Sequence, residues 1–259
     1  VDRNRSSTLL FTNGSELESR ARELKRAGLD SVFVSIDAAD AARHDEFRRT
    51  PGLHERALRG IDRARRLGFS TGFSVTMTPE SWREGELGRI VELARDVGVH
   101  EVFVFDAMPS GRYKDRTDLV DSDDWIEEMI QSAVPYNRNV RYPGVTFMAY
   151  MSSHRSVGCS CGTSYFYLSP YGDVMSCDFN HAKFGNVLEE PLWRIWGRLS
   201  TLPDFCQAKW GGCKIKDPEF RERQTVSPGP SAVSESVTRA PSVHVAHDLL
   251  KTHMATSNE

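Results

Sequence analysis

The sequence predicts an α/β fold built on parallel strands, and three observations carry that prediction. Short apolar runs alternate with amphipathic helical stretches through roughly the first hundred residues, the rhythm of successive βα units. Helical stretches end on glycine, at Gly28 and Gly68, where the chain must leave a helix for the next strand. All five cysteines fall between Cys159 and Cys213, so thiol chemistry is confined to a separate region late in the chain.

The elements follow in order. Thr8–Thr12 reads as a buried strand and Asn13-Gly14 as a turn; Ser15 with Glu18 reads as a capping box ahead of the helical stripe Leu17, Ala21 and Leu24. SVFVSI at Ser31–Ile36 is the second strand. A long polar connection, Asp37–Arg49, leads to a helix lined by Leu53, Ala57, Ile61, Ala64 and Leu67. Phe69–Thr76 is the third strand, Leu87–Val97 the helix after it, and Val102–Phe105 the fourth strand. The rhythm breaks at PSGRYKDRTD, before an amphipathic helix around Trp125–Ser132, so residues 1–143 are expected to form the α/β core. Residues 144–223 read as a smaller region. There Tyr165–Leu168 and Val174–Ser176 form a hairpin across a Pro-Tyr-Gly-Asp turn, and Leu192–Leu199 a short helix. From 224 to 259 Ser, Pro, Thr and Val dominate, no aromatic residue occurs and periodicity is lost, the composition of a disordered tail.

Composition narrows the function. A chain of 259 residues with 39% hydrophobic and 27% charged residues can bury a sizeable core, and no apolar run approaches the roughly 18 residues of a membrane helix. With 33 basic and 36 acidic side chains the net charge is −3, which disfavours a mainly electrostatic nucleic-acid binder. An odd, clustered cysteine count is unlike a secreted disulfide framework and suits metal or redox chemistry in the cytoplasm. The expected partners therefore exclude nucleic acid and membrane.

In a parallel α/β sheet ligands sit beyond the carboxyl ends of the strands. Those ends are polar here: Thr12-Asn13-Gly14, Ser35-Ile36-Asp37, Thr76-Met77-Thr78 and Asp106-Ala107-Met108, groups suited to a ribose, an amino group and a carboxylate. Each alone is as readily a turn or a helix cap; four on one rim favour a ligand. Arg48, in RHDEFR, is a fixed cation for a ligand carboxylate or the partner of Asp45 or Glu46. His44 is expected at the surface or in a hydrogen bond rather than in catalysis. The strongest signal is CGTSYFYLSPYGDVMSC, in which Cys161, Gly172 and Cys177 form a CX10GX4C element whose turn folds two thiolates toward each other. Cys213, after Gly211-Gly212, is the natural third metal ligand, with Cys206 or Cys159 as candidates for a fourth.

These residues resemble a family. TLLFTNGS, SVFVSIDAAD, RHDEFRRTPG, FSVTMT and VFVFDAMPSGR are similar to the later two-thirds of a radical S-adenosylmethionine (radical SAM) core. CGTSYFYLSPYGDVMSC, FGNVLEEPLWRIW and GGCKIKDPEF resemble the twitch form of the SPASM auxiliary-cluster extension. The resemblance covers roughly residues 8–222 and implies a partial TIM-like barrel of parallel strands with a small iron–sulfur extension. It also implies a 4Fe–4S cluster that cleaves S-adenosylmethionine to a 5′-deoxyadenosyl radical, and hydrogen abstraction from a peptide or small metabolite. A reductant such as ferredoxin or flavodoxin would serve the complete enzyme. On this resemblance Asn13, Ser35, Asp37, Arg48 and Thr76 fall where the family contacts S-adenosylmethionine, and Cys161, Cys177 and Cys213 at auxiliary 4Fe–4S positions.

The family's CX3CX2C and Gly-Gly-Glu-Pro-like stretch are absent, and the first strand here looks like the family's third. With Val1 as its first residue, the chain is expected to be an incomplete form, inactive alone and holding at most one auxiliary cluster. No catalytic residue is assigned. The competing expectation is a non-catalytic binding protein with a structural zinc site, although the irregular cysteine spacing fits paired zinc ligands poorly.

Overall fold

The computed structural model describes residue 2 and residues 4–119, 123–153, 155–206 and 212–226. Two compact units are present, one comprising residues 1–159 and 210–216, the other 160–209 and 217–259. The first unit is built on β1 (Leu9–Thr12), β2 (Ser31–Ser35), β3 (Ser70–Met77), β4 (Glu101–Asp106) and β5 (Gly144–Phe147). They form one sheet in the order β1-β2-β3-β4-β5, with every neighbouring pair parallel. Spatial order that follows chain order is the layout of a TIM-like (β/α) barrel; a doubly wound sheet reverses its order at a switch point. The first unit is thus a partial barrel.

Connections are helical: α1 (Leu17–Ala27) follows β1, α2 (Ala41–Arg48) and α3 (Leu53–Arg66) follow β2, and α4 (Pro79–Arg83) and α5 (Glu86–Val97) follow β3. Helix α6 (Asp123–Asn137) precedes β5, and the single turn α7 (Met148–Met151) follows it. Alternation along the strands sends Val32, Val34, Phe73, Val75, Val102 and Val104 to one face, where they are nearly fully buried with Ala21, Ala57, Ile61 and Ile90 from the helices. The opposite face carries Phe11, Phe33, Phe103 and Phe105, whose rings contact one another with Phe11 at the centre. Gly72 lies opposite Phe33, and a Cβ there would sit 2.4 Å from its ring.

The structure corrects several expectations. Asp37–Arg49 is not merely a polar connection, because α2 occupies most of it, capped by the Asp40 carboxylate accepting from the Arg43 N–H. It escaped notice because its buried residue is His44, so no apolar stripe marks it. The expected core boundary at residue 143 falls one strand early: β5 pairs with β4, and the first unit continues to Cys159.

The turn after β1 is also built differently from the expected capping box. Asn13 Oδ1 accepts from the Ser15 N–H at 3.0 Å, Thr12 Oγ1 accepts from the Gly14 N–H at 3.1 Å, and α1 begins after Glu16 with no side-chain cap. Gly14 has φ +81°, and a Cβ there would lie 2.8 Å from Ala57 Cα and 2.9 Å from Val34 Cγ1. Gly14→Ala combines left-handed strain with overpacking and should cost about 2–4 kcal/mol, read as a lower denaturation midpoint at unchanged slope. A midpoint equal to wild type would show that β1 and α3 separate freely.

In the second unit β6 (Tyr167–Leu168), β7 (Asp173–Cys177) and β8 (Asn180–Asn186) form an antiparallel sheet in that order. It is followed by α8 (Leu192–Thr201), α9 (Pro203–Cys206) and α10 (Pro218–Val226). Gly172, at φ +86°, closes the β6–β7 turn by donating its N–H to Ser169 O, and Ser169 Oγ accepts from the Tyr171 and Asp173 N–H groups. The expected disordered tail begins too early, since α10 runs to Val226; residues 227–259 lie outside the described residues. No described helix is long and apolar enough to cross a membrane.

Candidate functional site

The carboxyl rim of the barrel sheet gathers several of the expected ligand residues. Asp37, just past β2, is buried, and its carboxylate is held from two sides: Arg48 Nε donates to Oδ2 at 2.5 Å and the Thr76 N–H donates to Oδ1 at 3.1 Å. Arg48 therefore pairs with neither Asp45 nor Glu46. Asp45 instead accepts from the backbone N–H groups of Gly52 and His54, ordering the start of α3. Ser35 lies on the same strand face as Phe33, with its Oγ 3.2 Å from Ser74 Oγ. Asn13 is exposed and follows Thr12, which pairs with Val34, so it stands on the same rim with its amide oxygen committed to its own turn.

One residue that the sequence did not single out, Glu86, joins the rim. Glu86, at the start of α5, is 1% exposed and accepts from the Ala39 N–H at 2.7 Å and from Arg89 at 2.6 Å. It pins the loop after β2, yet in sequence it reads as an ordinary acidic first-turn residue. Of the two roles expected for His44 the structure shows the hydrogen bond: the residue is fully buried, and its Nδ1 accepts from the Asp37 N–H at 3.2 Å. Asp106, by contrast, alternates with Val102 and Val104 on the helix-facing side and sits 2.7 Å from Lys216 Nζ.

Beyond β2 and β3 opens a cavity of about 860 Å³, lined among others by Asp37, Ala38, Arg43, Thr76, Thr78 and Glu86. Its volume is in the range of cofactor-sized sites, and its lining carries carboxylates, guanidinium groups and the hydroxyl residues Thr76, Thr78 and Ser81, side chains that fit a nucleoside with a charged amino-acid tail.

The second unit brings Cys161 and Cys177 together. Residues 160–165 turn tightly, with the Ser164 and Tyr165 N–H groups donating to Ser160 O, while Cys177 ends β7 at a turn through Asp178 and Phe179. The Cys161 thiol donates to Cys177 and so holds the Cys177 thiol below its ordinary pKa; burial opposes this, and the Phe179 and Asn180 N–H groups add to it. Tyr165 lies beside both sulfurs and Asp178, and burial together with these neighbours keeps its phenol protonated. A thiolate receiving backbone N–H bonds is the donor arrangement that iron–sulfur clusters use. Cys159 and Cys213 belong to the first unit, the former half-buried and the latter buried. Cys206 ends α9, and its side chain, like Trp210 and Gly211, lies outside the described structure. Within either unit, among the described residues, no three His, Cys, Asp or Glu side chains form a ready metal site.

Comparison with known proteins agrees with this geometry. The profile of the Radical SAM superfamily matches residues 3–94, and that of SPASM, an iron–sulfur cluster-binding domain, matches residues 159–214. The chain belongs to the radical SAM superfamily. This radical SAM chain is 30% identical over 235 residues to an AdoMet-dependent heme synthase of Methanosarcina barkeri, a match covering 80% of the chain and 66% of that relative. It is 28% identical to the enzyme of the same name from Nitratidesulfovibrio vulgaris, across 71% of the chain and 56% of the relative. The chain thus spans less than two thirds of these relatives. Streptococcus suis SuiB bound to precursor peptide SuiA shares the fold at 13% identity and a TM-score of 0.58, over 81% of this chain and 55% of that one. The radical SAM and SPASM families bind S-adenosylmethionine and 4Fe–4S clusters, and these are the cofactors of this radical SAM chain.

Proposed function

We propose that the protein is a radical SAM enzyme that abstracts a hydrogen atom from a small metabolite, and that the residues described supply its S-adenosylmethionine rim and an auxiliary 4Fe–4S cluster. The observation that carries this reading is the Asp37–Arg48–Thr76 constellation at the strand ends, of which Asp37 and Thr76 line a cavity of cofactor size. When bound, the cofactors supply one-electron cleavage of a sulfonium and thereby a hydrogen-abstracting radical. Arg48 exchanges its partner Asp37 for the cofactor carboxylate or bridges the two; Ser35, Thr76 and Asn13 offer hydroxyl and amide groups to its polar edge. Cys161 and Cys177 ligate the auxiliary cluster; the sequence alone offers Cys213 as third ligand and Cys206 or Cys159 as further candidates. Every cysteine lies at or beyond position 159, so thiolates for the radical-generating cluster are not among them. A ferredoxin or flavodoxin would deliver the electron.

A small metabolite is favoured over a peptide because similarity to the heme synthases runs through 80% of the chain at 30% identity, whereas the peptide-bound SuiB is alike in fold. The rim is tested by titrating S-adenosylmethionine into anaerobically reconstituted protein. Arg48→Ala should weaken binding about tenfold to a hundredfold, the worth of one charge-assisted hydrogen bond. Wild-type protein that takes up no S-adenosylmethionine, or a variant that binds equally well, would sink the assignment.

A further inference from the structure

We propose that His44 is a positioning residue for the cofactor rim, acting only as the neutral imidazole with its proton on Nε2. Three observations support it. Helix α2 presents His44 and Arg48 one turn apart, so both reach Asp37 from the same side: His44 takes its backbone N–H and Arg48 its carboxylate. The Asp37 N–H can only donate, so Nδ1 must accept, which fixes the tautomer. Nε2 is buried and finds no hydrogen-bond partner among the described residues, and the His54 ring, itself with an unpartnered Nε2, packs against His44 at 5.4 Å between centroids and 65° between planes. A leucine there would leave no polar atom of its own dry but would give the Asp37 N–H no acceptor, so the specific contribution of the histidine is its Nδ1.

Protonation would place an N–H against the Asp37 N–H, two donors facing each other, and would release Asp37 from the position at which it meets Arg48 and Thr76. The groups facing His44 are Asp37 from the β2 end, Asp45 and Arg48 from α2, and His54 from α3. Burial holds His44 below its ordinary value of 6.5, helped by His54 and Arg48 and opposed by Asp37 and Asp45; burial also lowers His54, against Asp45 and Asp40. The unfolded chain thus takes up the His44 proton first, so this contribution to stability is complete above pH 6.5 and is lost as pH falls below it through the folded value.

This inference rests on the rim reading above, and the experiment separates the two. Anaerobically reconstituted protein is titrated with S-adenosylmethionine from pH 7.5 downward while the Asp37 amide nitrogen is followed by NMR without ligand. Wild-type affinity should drop about tenfold below the His44 transition, in step with the Asp37 shift. His44→Asn, whose side-chain oxygen can accept where Nδ1 did, should bind near wild-type strength at neutral pH and lose the acid step. His44→Leu should bind weakly at every pH. Absence of wild-type binding at any pH defeats the rim reading, and the amide titration still reports on His44. Wild-type binding with an acid step that persists in His44→Asn, or an Asp37 amide indifferent to pH, overturns the role of His44.

Discussion

Cys177→Ala protein, reconstituted with iron and sulfide in the absence of oxygen, is expected to retain at least about tenfold less iron than wild type after gel filtration, a loss no smaller than that from removing a partner of a metal ligand. Cys177 is 3% exposed, and its sulfur collects the Cys161 thiol and the N–H groups of Phe179 and Asn180. Removing that sulfur deletes a proposed ligand and also leaves two turn N–H groups without their acceptor, at about 1–3 kcal/mol each where they are buried. Ligation and folding are therefore separable. Cys177→Ser keeps an acceptor and should lose the iron while largely keeping apo-protein stability, and Cys161→Ala should lose the iron with both N–H groups still bonded to Cys177. Acid-labile sulfide and broad visible absorption should fall with the iron in all three. One tightly held zinc without sulfide in the wild-type protein would replace the cluster by a structural metal.

What the sequence disclosed depended on whether a feature was local. Strands β2 and β4 are legible because each is an apolar run closed by a polar strand end, β3 because Phe73, Val75 and Met77 alternate with polar residues, and the Cys161–Cys177 approach because CX10GX4C contains the Gly172 that its turn requires. Strand β5 was not legible: Val145 and Phe147 follow Pro143 and Gly144, and the strand holds its place by pairing with β4, more than forty residues upstream. Arg48 was recognised as a fixed cation with the wrong neighbours. Its partner is Asp37, brought close by α2, a helix whose buried side chain is polar and so leaves no periodic mark. Glu86 carries no mark in the sequence, and for His44 the sequence leaves surface and hydrogen-bonding roles open, because burial of a polar side chain at 1% and 0% exposure is a tertiary fact with no local signal. The placement of Cys213 in the first unit is likewise set by the return of residues 210–216, which chain order does not reveal.

That return is anchored by charge, and breaking it should have the largest effect on stability. Lys216 belongs to a 3₁₀ turn, Lys214–Lys216, and its side chain is 12% exposed; the Asp106 side chain it meets at 2.7 Å is 1% exposed. Asp106 Oδ1 has no hydrogen-bond partner among the described residues, so the lysine supplies the principal compensation for that carboxylate. Exposed ion pairs such as Arg66–Asp62 are worth little, but removing one member of a buried pair strands the other in a poorly solvated site at about 3–5 kcal/mol. Lys216→Met, which keeps most of the apolar stem, should therefore lower the Tm by roughly 6–20 °C, given about 2–4 °C per kcal/mol for a unit of this size. Asp106→Asn strands the Lys216 ammonium in turn but should cost less, because that side chain is 12% exposed on a flexible stem and can turn toward water, whereas the carboxylate is 1% exposed. The double variant should recover a good part of the Lys216→Met loss, giving a coupling energy of about 1–3 kcal/mol. Strict additivity of the two changes, with a Tm shift of only a degree or two for Lys216→Met, would mean that the carboxylate is hydrated and that residues 212–216 are held to the barrel by Ile215 and Cys213, both buried, rather than by the ion pair.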